Sequence, residues 1–193
     1  MNLYPLGKFL VSTIFFPLYR IQVIGKENFP DDGGVLLCAN HIDNFDPPVV
    51  GITCPRTVHF MAKEELFKVP VLKGILPSVN AYPVKRGMSD REAFRNTLKL
   101  LKEGKVVGLF PEGTRSKTGE LGKGLAGAGF FALKGNAVVV PCAIVGSYKP
   151  FKRLKVVYGK PLDMTEYRER KASAEEVTEV IMDAIRQLLE KNK

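Results

Sequence analysis

The sequence predicts an α/β domain: a single, largely buried mixed sheet of about seven strands flanked by helices, with a short apolar helix at the N-terminus. Three observations lead there. The runs Val106–Phe110 (VVGLF) and Ala137–Val145 (AVVVPCAIV) are apolar on consecutive positions rather than alternating ones, the pattern of strands covered on both faces. Short apolar runs of this kind alternate with segments of helical periodicity along most of the chain. The 193 residues, 45% hydrophobic and 25% charged, have ordinary globular composition and are enough to bury roughly 70% of the unfolded surface.

The first element is Phe9–Tyr19 (FLVSTIFFPLY), flanked by Lys8 and Arg20. Eleven helical residues reach about 16 Å, half a hydrocarbon core, and no run in the chain approaches the roughly 18 apolar residues of a spanning helix. One lysine as n-region, Pro17 near the end and no small-x-small site argue against a signal peptide. Two readings fit the segment: a helix docked on the core, or a monotopic anchor inserting Phe9, Phe15, Phe16 and Tyr19. A division into a membrane-associating helix (1–19) and a catalytic domain (20–193) follows from the second.

Strands are expected at Arg20–Ile24, Gly34–Ala39, Thr57–Ala62, Ala81–Val84, Val106–Phe110, Ala137–Val145 and Leu154–Tyr158. Ser89 and Glu92 pair as a capping box for a helix that Gly104 closes. Ser173 and Glu176 open the C-terminal helix, whose Val177, Val180, Ile181, Ala184, Ile185, Leu188 and Leu189 recur at helical spacing while the opposite face is acidic.

Cys38, Cys54 and Cys142 are odd in number and unpaired in spacing, which suits a reducing compartment and neither a disulfide framework nor a zinc site. Of the net charge of +9, the excess lies in residues 101–160, with 11 basic and 3 acidic side chains. An anionic partner there is expected: nucleic acid, an anionic membrane surface or a phosphorylated substrate, with plain solubility as the competing reading.

Two histidines occur. His59, inside TVHFMA, reads as a core or strand-edge residue. His41 directly follows the buried strand GVLLCA, at the end where α/β folds place catalytic groups. Asp46, five residues on and followed by Pro47 and Pro48, reads as a helix N-cap that brings the loop back on itself. Either it only caps that helix, or its carboxylate fixes the His41 tautomer and makes a general-base dyad. No G-x-S-x-G elbow supplies a protein nucleophile, Cys38 lies within the apolar strand, and His41, Asp43 and Asp46 make a poor metal set. The dyad is thus expected to deprotonate a substrate hydroxyl. Phe110-Pro111-Glu112-Gly113-Thr114-Arg115-Ser116 follows another buried strand, and its Arg115 presents a fork suited to phosphate. Lys63 and Lys85-Arg86 add cations at further strand ends. The glycines between Gly119 and Gly129 do not match a phosphate loop, and close packing or loop flexibility accounts for them.

These residues resemble the glycerolipid acyltransferases. Asn40–Asp46 is similar to their N-H-x(4)-D block, Ala81–Arg86 to the second, FPEGTRS at 110–116 to the third and Val140–Ile144 (VPCAI) to the fourth, all four in the family's order. The compact size is most similar to bacterial 1-acylglycerol-3-phosphate acyltransferases. The sequence departs from the pattern at Asp43, often serine, and at Asn80, commonly glycine. The resemblance implies acyl transfer from a thioester, acyl-CoA or acyl-carrier protein, to the sn-2 hydroxyl of lysophosphatidic acid. His41 would be the base and Asp46 its partner; Arg86, Glu112, Gly113 and Arg115 would form the acceptor site, with Arg115 and Lys63 on the phosphate. It implies no cofactor or metal, and attachment at the cytoplasmic membrane face, peripheral or monotopic. Glycerol 3-phosphate or another lysophospholipid as acceptor shares every motif. A non-catalytic basic phosphate-binding module is the alternative of another class; nucleic acid is not expected, for the basic region lacks interleaved aromatics.

Overall fold

The computed structural model describes residues 4–85 and 90–193. Seven strands form one mixed sheet, and all seven fall where the apolar runs predict: β1 (Gln22–Ile24), β2 (Val35–Ala39), β3 (Val58–Lys63), β4 (Ala81–Val84), β5 (Val106–Leu109), β6 (Val138–Gly146) and β7 (Leu154–Tyr158). Their order is β1-β7-β6-β2-β5-β3-β4. Strands β6, β2, β5, β3 and β4 are parallel, while β7 runs antiparallel to β6. Five strand ends therefore meet at one edge, and the loops that leave them carry the candidate residues.

Consecutive apolar positions are explained by the two layers. Leu37, Val140 and Tyr158 face helices α1 (Tyr4–Leu18) and α2 (Asp46–Thr53), with Val49 and Val50 of α2 in the same cluster. Leu36, Cys38 and Val107 face the other side, with Phe131 of α5 (Gly127–Lys134) and Ile181 and Ile185 of α7 (Ala174–Asn192). The sheet edges are short strands; β4 carries Pro83, which an edge tolerates. Pro141 sits within β6, just before its pairing with β7 begins at Cys142, and its carbonyl receives the Gly159 N–H (2.8 Å).

Two predicted caps are revised. Helix α4 (Arg91–Lys102) is capped by Asp90, which accepts the Ala93 N–H (3.0 Å); Ser89 lies outside the described residues. Gly104 closes α4 as expected, with the Lys105 N–H on the Leu100 carbonyl and its own on Leu101. At α7, Ser173 accepts the Glu176 N–H (3.1 Å), but the Glu176 carboxylate pairs with Arg170 instead of completing the box.

The N-terminal segment docks on the core, as one of its two readings expects, and leaves one apolar face exposed. Helix α1 docks through Tyr4, whose hydroxyl donates to the Gly51 carbonyl (3.3 Å) and accepts the Val58 N–H (3.2 Å), and through Lys8, which donates to the Cys54 carbonyl (2.6 Å). Phe15 and Leu18 pack on the core and Tyr19 is buried, so the expected insertion of Phe15 and Tyr19 is corrected. The large apolar residues that α1 exposes are Leu6, Phe9, Leu10, Ile14 and Phe16. No helix among the described residues is long and apolar enough to cross a membrane.

Candidate active site

His41 leaves the carboxyl end of the central strand β2. The backbone ladder between β2 and β6 ends at Ala39 and Cys142, and the Asn40 side chain extends it: Nδ2 donates to the Ile144 carbonyl (3.0 Å) and Oδ1 accepts its N–H (2.7 Å). Asn40 therefore fixes where the chain departs the sheet.

Asp46 is fully buried and begins α2, but it does not cap it. Pro47 and Pro48 follow, so the first positions of the helix offer no N–H to a carboxylate placed before them. The side chain turns back on its own loop. Oδ2 accepts His41 Nδ1 (2.7 Å) and the N–H groups of Ile42 (2.6 Å) and Asp43 (2.8 Å), while Oδ1 accepts the Tyr148 hydroxyl (2.7 Å). Four donors thus converge on one buried carboxylate and fix its orientation. With Nδ1 engaged, Nε2 is the ring nitrogen left to meet a substrate proton. The Asp43 carboxylate accepts the Phe45 N–H (3.0 Å) within the same loop.

The second loop is laced to the first. Glu112 is buried; its Oε1 accepts the His41 N–H (2.8 Å) and Oε2 the Gly122 N–H (2.9 Å). The Ser116 N–H donates to the His41 carbonyl (2.8 Å). Gly113 has φ 65°, in the left-handed region that favours glycine. The ring of Phe110 stacks on His41, with centroids 4.1 Å apart, and Phe60 stacks on the far side of Phe110 at 6.0 Å. Phe60 lies over Gly108, where a β-carbon would occupy its place.

Arg115 is exposed, and its guanidinium makes no ion pair among the described residues. Lys63 ends β3 on the same sheet edge, 3.2 Å from Glu65 in a solvent-exposed pair. Arg86 lies outside the described residues; Lys85, beside it, gives its backbone N–H to Asp90 (2.9 Å). On the opposite side of His41, past β6, a half-open cleft of about 320 Å³ is lined by Ile42, Asp43, Ile144, Gly146, Tyr148 and Leu189. His59 is away from the site, its Nδ1 3.2 Å from the Val106 carbonyl, with burial lowering its pKa. The three thiols are buried; burial pushes Cys54 up to about 11, and Cys38 and Cys142 higher.

Sequence reasoning overlooked Asn40 as a clamp, Phe110 as a stacking partner and Tyr148 altogether. A polar residue terminating an apolar strand is a usable signal for the first. Nothing in GSYKPF marks the last, for its partner lies a hundred residues away.

Residues 20–145 match the family described as Acyltransferase. The chain belongs to that family. Among curated relatives, the 1-acyl-sn-glycerol-3-phosphate acyltransferase of Bacillus subtilis is 34% identical over 179 residues, covering 87% of each chain. The enzyme of that name from Borreliella burgdorferi is 31% identical over 65% of this chain and 51% of its own. A chloroplastic relative from Arabidopsis thaliana is 31% identical over 75% of this chain, which spans 41% of that protein's length. The crystal structure of PlsC, the 1-acyl-sn-glycerophosphate (LPA) acyltransferase of Thermotoga maritima, superposes with a TM-score of 0.74 over 99% of this chain and 96% of its own. At 20% identity that likeness establishes the fold.

Proposed function

We propose that this acyltransferase moves a fatty acyl group from a thioester, acyl-CoA or acyl-carrier protein, to the sn-2 hydroxyl of 1-acylglycerol 3-phosphate, giving phosphatidic acid. The observation that carries the reading is the buried 2.7 Å contact of His41 Nδ1 with Asp46 Oδ2, with no serine or cysteine side chain among the described residues hydrogen-bonded to the imidazole. His41 Nε2 takes the hydroxyl proton as the oxygen attacks the thioester carbonyl, and Asp46 stabilises the imidazolium that forms. The thiol leaves, reclaiming the proton, and no acyl-enzyme is required. No cofactor or metal enters these steps.

Arg115, on the loop after β5 that also carries Glu112 and Gly113, and Lys63, at the end of β3, are assigned to the acceptor phosphate, with Arg86 assigned to the acceptor site by its motif. The apolar cleft past β6 receives the donor. The relatives' names support the acceptor. The exposed apolar face of α1 (within residues 1–19) rests in the cytoplasmic leaflet, so that the domain from residue 20 onward works peripherally on an anionic surface.

The test is thiol release from acyl-CoA and acyl-carrier protein, with lysophosphatidic acid or glycerol 3-phosphate as acceptor, for wild type and His41→Ala. Release is expected to need lysophosphatidic acid and to fall by about 10²–10⁴ without His41. Release with glycerol 3-phosphate alone replaces the acceptor, and full turnover by His41→Ala overturns the mechanism.

A further inference from the structure

The four donors on Asp46 are of two kinds. Those on Oδ2 belong to the loop His41–Asp43, which moves with the dyad. The one on Oδ1, the Tyr148 hydroxyl at 2.7 Å, comes from the turn after β6, a separate element of the sheet. That turn is held from outside the site. The Phe151 N–H donates to the Leu18 carbonyl (2.6 Å) and the Leu154 N–H to Tyr19 (3.0 Å), tying it to the end of α1. The Tyr148 ring lies edge-on to Tyr19 at 5.3 Å and beside Phe45 at 5.8 Å. Phe15 closes the cluster at 5.3 Å from both Tyr19 and Phe45. Phe45 directly precedes Asp46. Burial and the Asp46 charge push the phenol well above the ordinary tyrosine range, so its oxygen keeps its proton and serves as donor.

We infer that Tyr148 is a positioning residue for the reaction proposed above: its hydroxyl anchors the outer oxygen of Asp46, so that the carboxylate stays aimed at His41 Nδ1 while the imidazole gains and loses a proton. The turn that carries Tyr148 supplies a fixed reference the dyad's own loop lacks. The bond makes no contact with the acceptor in the ground state, whereas the aim of the carboxylate matters most when charge develops on His41, so its loss falls on kcat.

The experiment compares Tyr148→Phe with Tyr158→Phe, which deletes another buried phenol hydroxyl, on Thr53 (2.8 Å), away from the dyad. Tyr148→Phe keeps the aromatic cluster and is expected to lower kcat about tenfold, with KM for the acceptor unchanged, as for a hydrogen bond to a charged group. Tyr158→Phe is expected to keep kcat within about twofold. In an Asp46→Asn background Tyr148→Phe adds no further loss of kcat, because the anchored charge is already gone. Exchange of the His41 ring N–H, followed by NMR without substrate, is expected to quicken about tenfold in Tyr148→Phe alone. Equal kcat for the two tyrosine variants, or additive losses with Asp46→Asn, overturns the assignment. Wild type silent towards every acceptor with the NMR difference intact overturns only the reaction; an unchanged exchange rate overturns the positioning role.

Discussion

Replacing Gly108 with alanine tests whether the aromatic stack holds His41. A β-carbon built at Gly108 lies 2.7 Å from Phe60 Cδ1 and 2.8 Å from Cζ, with Cε1 nearer still. Carbon atoms rest at about 3.5–4.0 Å, so the ring must withdraw by about 1 Å or more. Phe60 lies nearly parallel to Phe110 (12° between planes), and Phe110 to the imidazole (19°). Overpacking of this size costs about 2 kcal/mol, which in a chain of this length lowers Tm by about 4–8 °C. The larger effect is expected on turnover, because a misplacement of about 1 Å in a reacting group costs up to about 100-fold. The assay pairs thermal unfolding with thiol release for Gly108→Ala and for Gly108→Ala combined with Phe60→Leu, where the smaller side chain makes room. Partial recovery of both quantities in the double variant is expected. A Gly108→Ala protein with wild-type Tm and kcat refutes the idea that the stack positions the base.

Other outcomes follow from the same structure. Asn40→Leu leaves the N–H and C=O of Ile144 without their side-chain partner in the sheet interior, and a loss of about 2–4 kcal/mol is expected in denaturant unfolding. Phe9→Asp with Ile14→Asp changes exposed positions only, so Tm should hold while co-sedimentation with anionic vesicles is lost. Unfolding free energy should fall as pH rises from about 9 towards 11: the unfolded chain ionises its thiols near the ordinary value of 9.0, whereas folded Cys54 keeps its proton up to about 11, so the native state binds more protons. A pH titration of denaturant midpoints reads this, and Cys54→Ala should flatten the slope.

What the sequence disclosed about fold was set by burial on both faces. β6 and β5 declare themselves because every position is apolar, and β4 and β7 match to the residue because proline, glycine or charge bounds them. Helix starts were less legible. Ser173 caps as its spacing suggests, but at α4 the competing aspartate one residue on takes the role, a choice between two good caps that local sequence does not decide. For the site, the His41–Asp46 spacing disclosed the pair but not its geometry: the aspartate reads as a helix cap until two prolines are seen to offer no N–H. Tyr148 and Phe60 were illegible for another reason. They reach the site only through strand order, and a polar tyrosine in a turn or an aromatic in a strand has many ordinary explanations. Arg86 lies outside the described residues, so its assignment rests on motif alone.

The pairing of β1 with β7 sets the order in which the chain can assemble. Gln22 lies beside Lys155, and the C-terminal end of α1 is tied to Phe151 and Leu154. At about 5–20 residues per second, the roughly 130 residues between these partners need on the order of ten seconds to emerge from a ribosome. Over that interval the inner face of α1 can meet α2 and the start of β3, through Tyr4 and Lys8, while its outer face stays apolar and exposed. The sheet edge that clamps the end of α1 therefore closes late in synthesis, and until it does the helix is held by its first contacts alone.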